Sequence, residues 1–346
     1  MTTNPNPQKY FIITAGPTGS GKTALVDMIL EQLKINKPYN YTKFLIDDLV
    51  ESDKIYIEAV SDITNKLESE CKKNEIVDDN CMKAIFDNPS DDLLNNFYNA
   101  YLKARYSGCG VGCNKALDNE LMKLNAKKPD IVVFEITGIN IPKWLLEESF
   151  IPHDYMIIFA YSLVKVDTLI QRNASRAYTG YKDFRKNKSK GFRLPNIKPK
   201  FLQETIETIT KNLITLYNKC INVNSGDVNS EDVNNEDVNS EDVCGKKKIS
   251  RLFVSNNNND THQLVFDSLD GNPDKLIEAI KSSIGNHDGA PGSSANNSSA
   301  SGSSANNSSA SGSSVSGSSG GGNKINKTSH KKKSKYIKNK KRTRKG

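Results

Sequence analysis

Residues Phe11–Leu30 read FIITAGPTGSGKTALVDMIL, and no other stretch narrows the fold as far. Phe11–Thr14 is short, apolar and β-branched, the composition of a strand buried in a parallel sheet. From Ala24 the apolar residues fall at Ala24, Leu25, Met28, Ile29 and Leu33, the spacing of a helix with one buried face. Between the two, Gly16–Thr23 fits G-x-x-x-x-G-K-[ST], the phosphate-cradling P-loop. The chemistry asks for these residue types. Along Gly16, Pro17, Thr18, Gly19, Ser20 and Gly21, small residues let backbone N–H groups turn toward phosphate oxygens, and the helix N-terminus adds partial positive charge. Lys22 is expected to reach the β- and γ-phosphates, and the Thr23 hydroxyl to ligate Mg²⁺. ATP or GTP with Mg²⁺ is therefore the expected ligand pair.

The rest of the chain alternates strand and helix signals, which predicts an α/β fold. Lys43–Ile46 reads as a second strand ending in Asp47 and Asp48. Ligands of open parallel sheets sit beyond the carboxyl ends of the strands, so an aspartate there can take a proton from an attacking hydroxyl. In an extended segment the two side chains point to opposite faces, and one of them is free to cap the helix that follows. Residues 52–128 read as mostly helical, with joints near 73–80, 88–92 and 107–114. Ile131–Phe134 is a continuous apolar run ending in Glu135, with Thr137 two residues on. A carboxylate at this place suits Mg²⁺, held through water, or the substrate. Met156–Ala160 is another strand. After it, Arg172 and Arg176 lie four apart on one helix face, and Arg185 and Arg193 follow in a segment that reads as mobile. Arginines of this kind close over a transferring phosphoryl group. A long amphipathic helix from Pro199, a hairpin (Arg251–Val254, Leu264–Asp267) and a helix Pro273–Ile284 complete the pattern.

Net charge is misleading if read over the whole chain. It totals +8, but residues 323–346 hold twelve Lys or Arg and no Asp or Glu, so the preceding 322 residues carry −4. Residues 286–322, with SSANNSSASG repeated in tandem from Ser293, read as a flexible linker before this basic tail. Residues 224–245 hold four pentapeptides ending in Asp-Val and read as a disordered acidic insertion in a surface loop. Its spacing lacks the glycine and the terminal glutamate of a calcium loop. The expected folded domain is therefore residues 8–285. The N-terminus has no apolar signal segment and no run reaches the ~20 apolar residues of a membrane span, which suggests a soluble intracellular protein with free thiols. Cys109 and Cys113, in a C-x₃-C spacing without a second pair, read as two ordinary thiols in a glycine-rich loop.

Taken in order, GPTGSGKT, FLIDDL, DIVVFEITG, TLIQRNASRA, Arg193 ahead of PKFLQETIETITKNL, and a hairpin ending LVFDS resemble the zeta toxin family of P-loop kinases from about residue 10 to 285. The resemblance implies a three-layer α/β/α fold with a mainly parallel sheet, helical substrate and lid insertions, and a C-terminal β-hairpin. It implies transfer of a γ-phosphoryl group from ATP or GTP to the hydroxyl of a small molecule. Lys22 and Thr23 carry over directly, Arg172 and Arg193 match the lid arginines, and the residues after the family's I-D-x-D pattern favour Asp48 as the base. Two departures stand out. The aspartate pattern is one residue shorter here, and Ile136 replaces a family glycine in Glu135-Ile136-Thr137-Gly138. Bacterial members phosphorylate a UDP-aminosugar, but the glutamate that binds it has no matching register near Asp118–Glu120. The tail also looks like the C-termini of giant DNA virus proteins.

Two other readings use the same residues. One is a polynucleotide 5′-hydroxyl kinase, against which the acidic core speaks mildly. The other is a nucleotide-binding interaction or virion protein without turnover. Deleting residues 323–346 should abolish salt-sensitive binding to DNA or RNA while nucleotide affinity is kept, as read by electrophoretic shift across a salt series. Retention of polynucleotide by the truncated chain at moderate salt would move the polynucleotide kinase to first place.

Overall fold

The computed structural model describes residues 8–35, 39–141, 151–221 and 249–285. The acidic insertion (224–245), the linker and the basic tail lie outside them. Five parallel strands form the body of a six-stranded sheet in the order β2-β5-β1-β6-β7-β8. They are β1 (Lys9–Ala15), β2 (Tyr41–Phe44), β5 (Ile131–Ile136), β6 (Tyr155–Leu163) and β7 (Arg251–Asn256). The sixth, β8 (Gln263–Asp267), returns antiparallel to β7 as the expected hairpin. β1 sits in the middle because it is apolar on both faces: Phe11, Ile12 and Ile13 are all fully buried.

Strand periodicity of two divides these side chains between the sheet's faces. Ile12, Val133, Ile158 and Phe253 pack with Leu25, Val26 and Ile29 of α1 (Lys22–Gln32). Phe11, Ile13, Val132 and Phe159 lie in a second core with Leu213 and Leu216 of α9 (Pro199–Cys220) and Leu276 and Ile280 of α10 (Pro273–Ile284). Helices thus cover both faces, which is the expected three-layer α/β/α arrangement.

A separate helical core stands beside the sheet. It is built from α3 (Lys54–Glu70), α4 (Asp79–Asp87), α5 (Asp91–Ser107), the start of α6 (Cys113–Met122) and α8 (Val166–Lys186). A short turn, α7 (Leu124–Lys127), leads from α6 toward β5. Two-residue strands β3 (Lys72–Lys73) and β4 (Ile76–Val77), which the sequence did not announce, form a hairpin between α3 and α4.

Three expectations are corrected. β2 ends at Phe44, where its pairing with β5 stops, and α2 (Ile46–Glu51) follows at once. Asp47 and Asp48 therefore lie in the first turn of a helix, where the macrodipole favours carboxylates, and not on opposite faces of an extended segment. The stretch after α8 is not a loose loop. Phe192 is buried among Phe86, Phe97, Tyr181 and Phe184, and the Tyr56 hydroxyl donates to its carbonyl at 2.8 Å. The cysteines are not free thiols: Cys71 is paired with Cys81 and Cys109 with Cys113, and no described cysteine is unpaired. The turns between the helices bring these Cα atoms to 5.6 and 4.9 Å, within bridging range. Among the described residues no helix is long and apolar enough to cross a membrane.

Phe192→Ala should test how firmly the segment is anchored. Removing a buried ring from this aromatic group should cost about 3–5 kcal/mol, read as a lower midpoint in urea unfolding. A loss within about 0.5 kcal/mol would mean that the segment floats free.

Candidate active site

The loop between β1 and α1 owes its shape to glycine. Gly21 caps α1 at φ 84°, and Gly19 lies at φ 86°, both in the left-handed region. A Cβ on Gly19 would meet the Asn173 Oδ1 at 2.5 Å, and one on Gly21 would collide with Asn257. Both asparagines are close because they hold the loop. Asn173 Nδ2 donates to the Thr18 carbonyl at 2.9 Å. The Ser20 carbonyl accepts from Asn257 Nδ2 at 2.8 Å and from Ser162 Oγ at 2.6 Å. His262 Nε2 lies 2.9 Å from the Gly21 carbonyl and its Nδ1 lies 2.7 Å from Ser255 Oγ. A carbonyl only accepts, so Nε2 carries the proton and Nδ1 takes the hydroxyl's. Carbonyls of the loop are thus bound from behind.

Lys22, 8% exposed, donates Nζ to the carbonyls of Gly16 (2.9 Å) and Pro17 (3.2 Å) and lies 3.4 Å from Glu135 Oε1. Burial pulls its pKa below the usual lysine value, against the opposing pull of Glu135 and Asp47. Thr23, next in the chain, is exposed. The first-turn N–H groups of α1 have no intrahelical acceptor, and no side chain caps them. Around the loop, the hydroxyls of Thr14 and Ser20 and the Nη1 of Arg172 are buried without a partner among the described residues. Free donors, an uncapped helix N-terminus and an exposed Thr23 directly after Lys22 fit a Mg²⁺–nucleotide.

Asp47, 30% exposed, receives the Tyr101 hydroxyl at 2.8 Å and pairs with Arg193 Nη1 at 2.6 Å. Burial, then Asp47's charge, pushes the Tyr101 hydroxyl's pKa up, so it stays a donor. Asp48 is 56% exposed and pairs with Lys190 at 2.9 Å. Arg193 also binds Glu51 through Nε at 2.8 Å. Burial lowers the Arg193 pKa, but Asp47 and Glu51 outweigh it and the net shift is upward.

The arginines expected to act together are dispersed. Arg172 donates Nη2 to Asp260 in the β7–β8 turn at 2.7 Å. Arg176, exposed one turn further along α8, lines an open groove of about 630 Å³ with Arg172, Gln171 and Asn258. Arg185 is turned away to Asp79 (3.2 Å) and Glu68 (3.7 Å). Only Arg193 meets the aspartates. Thr137 is exposed at the end of β5. Sequence reading missed Glu51, although its place four residues after Asp47 puts both on one helix face. It also missed Asn257 and His262, whose contacts span more than 230 residues and leave no local signal.

A strand, a glycine-shaped loop and a helix around Lys22, set on a mainly parallel sheet, make this a P-loop α/β protein. No protein-family model matches the chain, and no curated protein matches it. Among solved structures, it is similar to a chain from the PezAT chromosomal toxin–antitoxin system of Streptococcus pneumoniae. The identity is 14% and the TM-score 0.42, over 79% of this chain and 77% of that one.

Burial lowers the His262 pKa below its ordinary 6.5, so the unfolded chain takes the proton more readily than the folded one. The stability that neutral His262 adds is present above pH 6.5 and lost as pH falls through the folded value. Thermal melts of the wild type should therefore drop more steeply on acidification below pH 6.5 than those of His262→Gln. Parallel curves for the two proteins would contradict this.

Proposed function

We propose that this chain is a phosphotransferase that moves the γ-phosphoryl group of ATP or GTP to the hydroxyl of a small molecule. One observation carries the reading. Lys22 of the P-loop lies against Glu135 of β5, 3.4 Å apart, within electrostatic reach of Asp47 and Arg193. A phosphate seat, a carboxylate for the metal side, a carboxylate for the acceptor side and a cation thus share one end of the sheet. Thr23 and Glu135 are the residues that would hold Mg²⁺, which when bound offsets charge on the phosphates. Lys22 exchanges its loop carbonyls for phosphate oxygens, and the loop N–H groups orient the chain of phosphates.

For the base, the environment favours Asp47 over the sequence-based choice of Asp48. Asp47 faces Arg193 and Tyr101 and is felt by Lys22, whereas Asp48 is turned to Lys190 and solvent. One Oδ of Asp47 then takes the acceptor's proton as the acceptor oxygen bonds to the γ-phosphorus and the nucleoside diphosphate leaves, and Arg193 counters the charge that develops on the transferring group.

Incubating the protein with γ-labelled ATP and a metabolite extract should label a small molecule, and labelling of added oligonucleotide instead would favour the polynucleotide kinase. With the acceptor in hand, Asp47→Asn should cut turnover by roughly 10² to 10⁴ with ATP affinity little changed, and Asp48→Asn should cost far less. The reverse order would return the role to Asp48. Lys22→Ala should weaken Mg²⁺-dependent ATP binding severely by calorimetry, and equal affinities would sink the nucleotide site altogether.

A further inference from the structure

Glu51 is 7% exposed, yet nothing in the phosphotransferase reading uses it. Its side chain binds Arg193 Nε at 2.8 Å and Lys190 Nζ at 3.3 Å, and its backbone carbonyl accepts from the Gly191 N–H at 2.7 Å. Three contacts thus join the last residue of α2 to residues 190–193. Asp47, one turn earlier on the same helix face, holds the same guanidinium by Nη1 at 2.6 Å. Two anchors on different nitrogens fix both the position and the plane of the group. A single anchor would leave it free to swing. Neither contact uses Nη2, which leaves that nitrogen for an anion.

An ion network of this kind is a poor means of stabilising a fold, because desolvation consumes much of the attraction. Packing here is already supplied by Phe192 and by Tyr56, whose ring presses on Gly191 so closely that a Cβ there would lie 2.7 Å away. A buried glutamate therefore calls for another role.

We infer that Glu51 is the positioning residue for Arg193, holding its guanidinium in place so that the arginine meets the γ-phosphate without first having to be ordered. The inference rests on the nucleotide-dependent reading above. Its consequence is that α2 carries the base and the cation as one unit: Asp47 and Arg193 keep their separation when either moves.

The test compares Mg²⁺-bound adenylyl imidodiphosphate with ADP, since only the former has a γ-group. Calorimetry should give the wild type a preference for the analogue. Glu51→Gln, which removes the charge and keeps the size, should shrink that preference about tenfold. On an Arg193→Ala background it should have no further effect. Glu51→Asp, shorter but still charged, should lie between and serves if the glutamine variant fails to fold. An unchanged preference in Glu51→Gln, or an equal loss with Arg193 already removed, overturns the inference. So does an Arg193→Ala protein with the wild-type preference, because the arginine then does not meet the γ-phosphate. Those outcomes leave the phosphotransferase reading standing provided Lys22→Ala loses nucleotide. If Lys22→Ala binds both nucleotides as the wild type does, the nucleotide reading falls and the inference with it.

Discussion

The Ser20 carbonyl accepts two hydrogen bonds, one from Ser162 at the end of β6 and one from Asn257 after β7. This shared acceptor makes the P-loop a fixture of the sheet. A loop whose N–H groups face a ligand must direct its carbonyls elsewhere, and buried carbonyls need donors. Here neighbouring strands and α8 supply them. The order of the strands follows from the same demand, since β1 must lie between β5, which presents Glu135 to Lys22, and β6, which presents Ser162 to Ser20.

The second arrangement is electrostatic. Asp47, Glu51, Arg193, Lys190 and Asp48 form one connected set across α2 and the segment after α8. Acids and bases alternate in space, so each charge has a partner, and the set spans the seam between the sheet and the helical core. The seam is otherwise held by apolar side chains, with Ile46 and Leu49 of α2 contributing to the cores on both sides. A helix of six residues has little stability of its own, and these two contacts define where it sits. Chemistry placed on such an element gains accuracy from tertiary packing.

Much of the fold was legible because its signals are local. Apolar runs gave β1, β5 and β6; periodicity gave α9; and a helix over Pro273–Ile284 is found with the expected bounds. The P-loop was legible because its residue types are dictated by backbone geometry. Misreadings arose where tertiary context decides. A short run such as Lys43–Ile46 continues as a strand only while a partner strand pairs with it, and the pairing of β2 with β5 stops at Phe44. Cysteines ten and four residues apart carry no statement of pairing until turns set their separation.

By itself the sequence determined the α/β class, the P-loop motif and the set of charged residues near the strand ends. Each of these is written in spacing or in the steric needs of a few consecutive residues. Only the tertiary structure decided which aspartate faces the arginine, which arginine of four arrives there, and that Glu51 holds it. Those relations join residues 142 or more positions apart, and a contact at such a distance depends on how two cores pack, which no local pattern records.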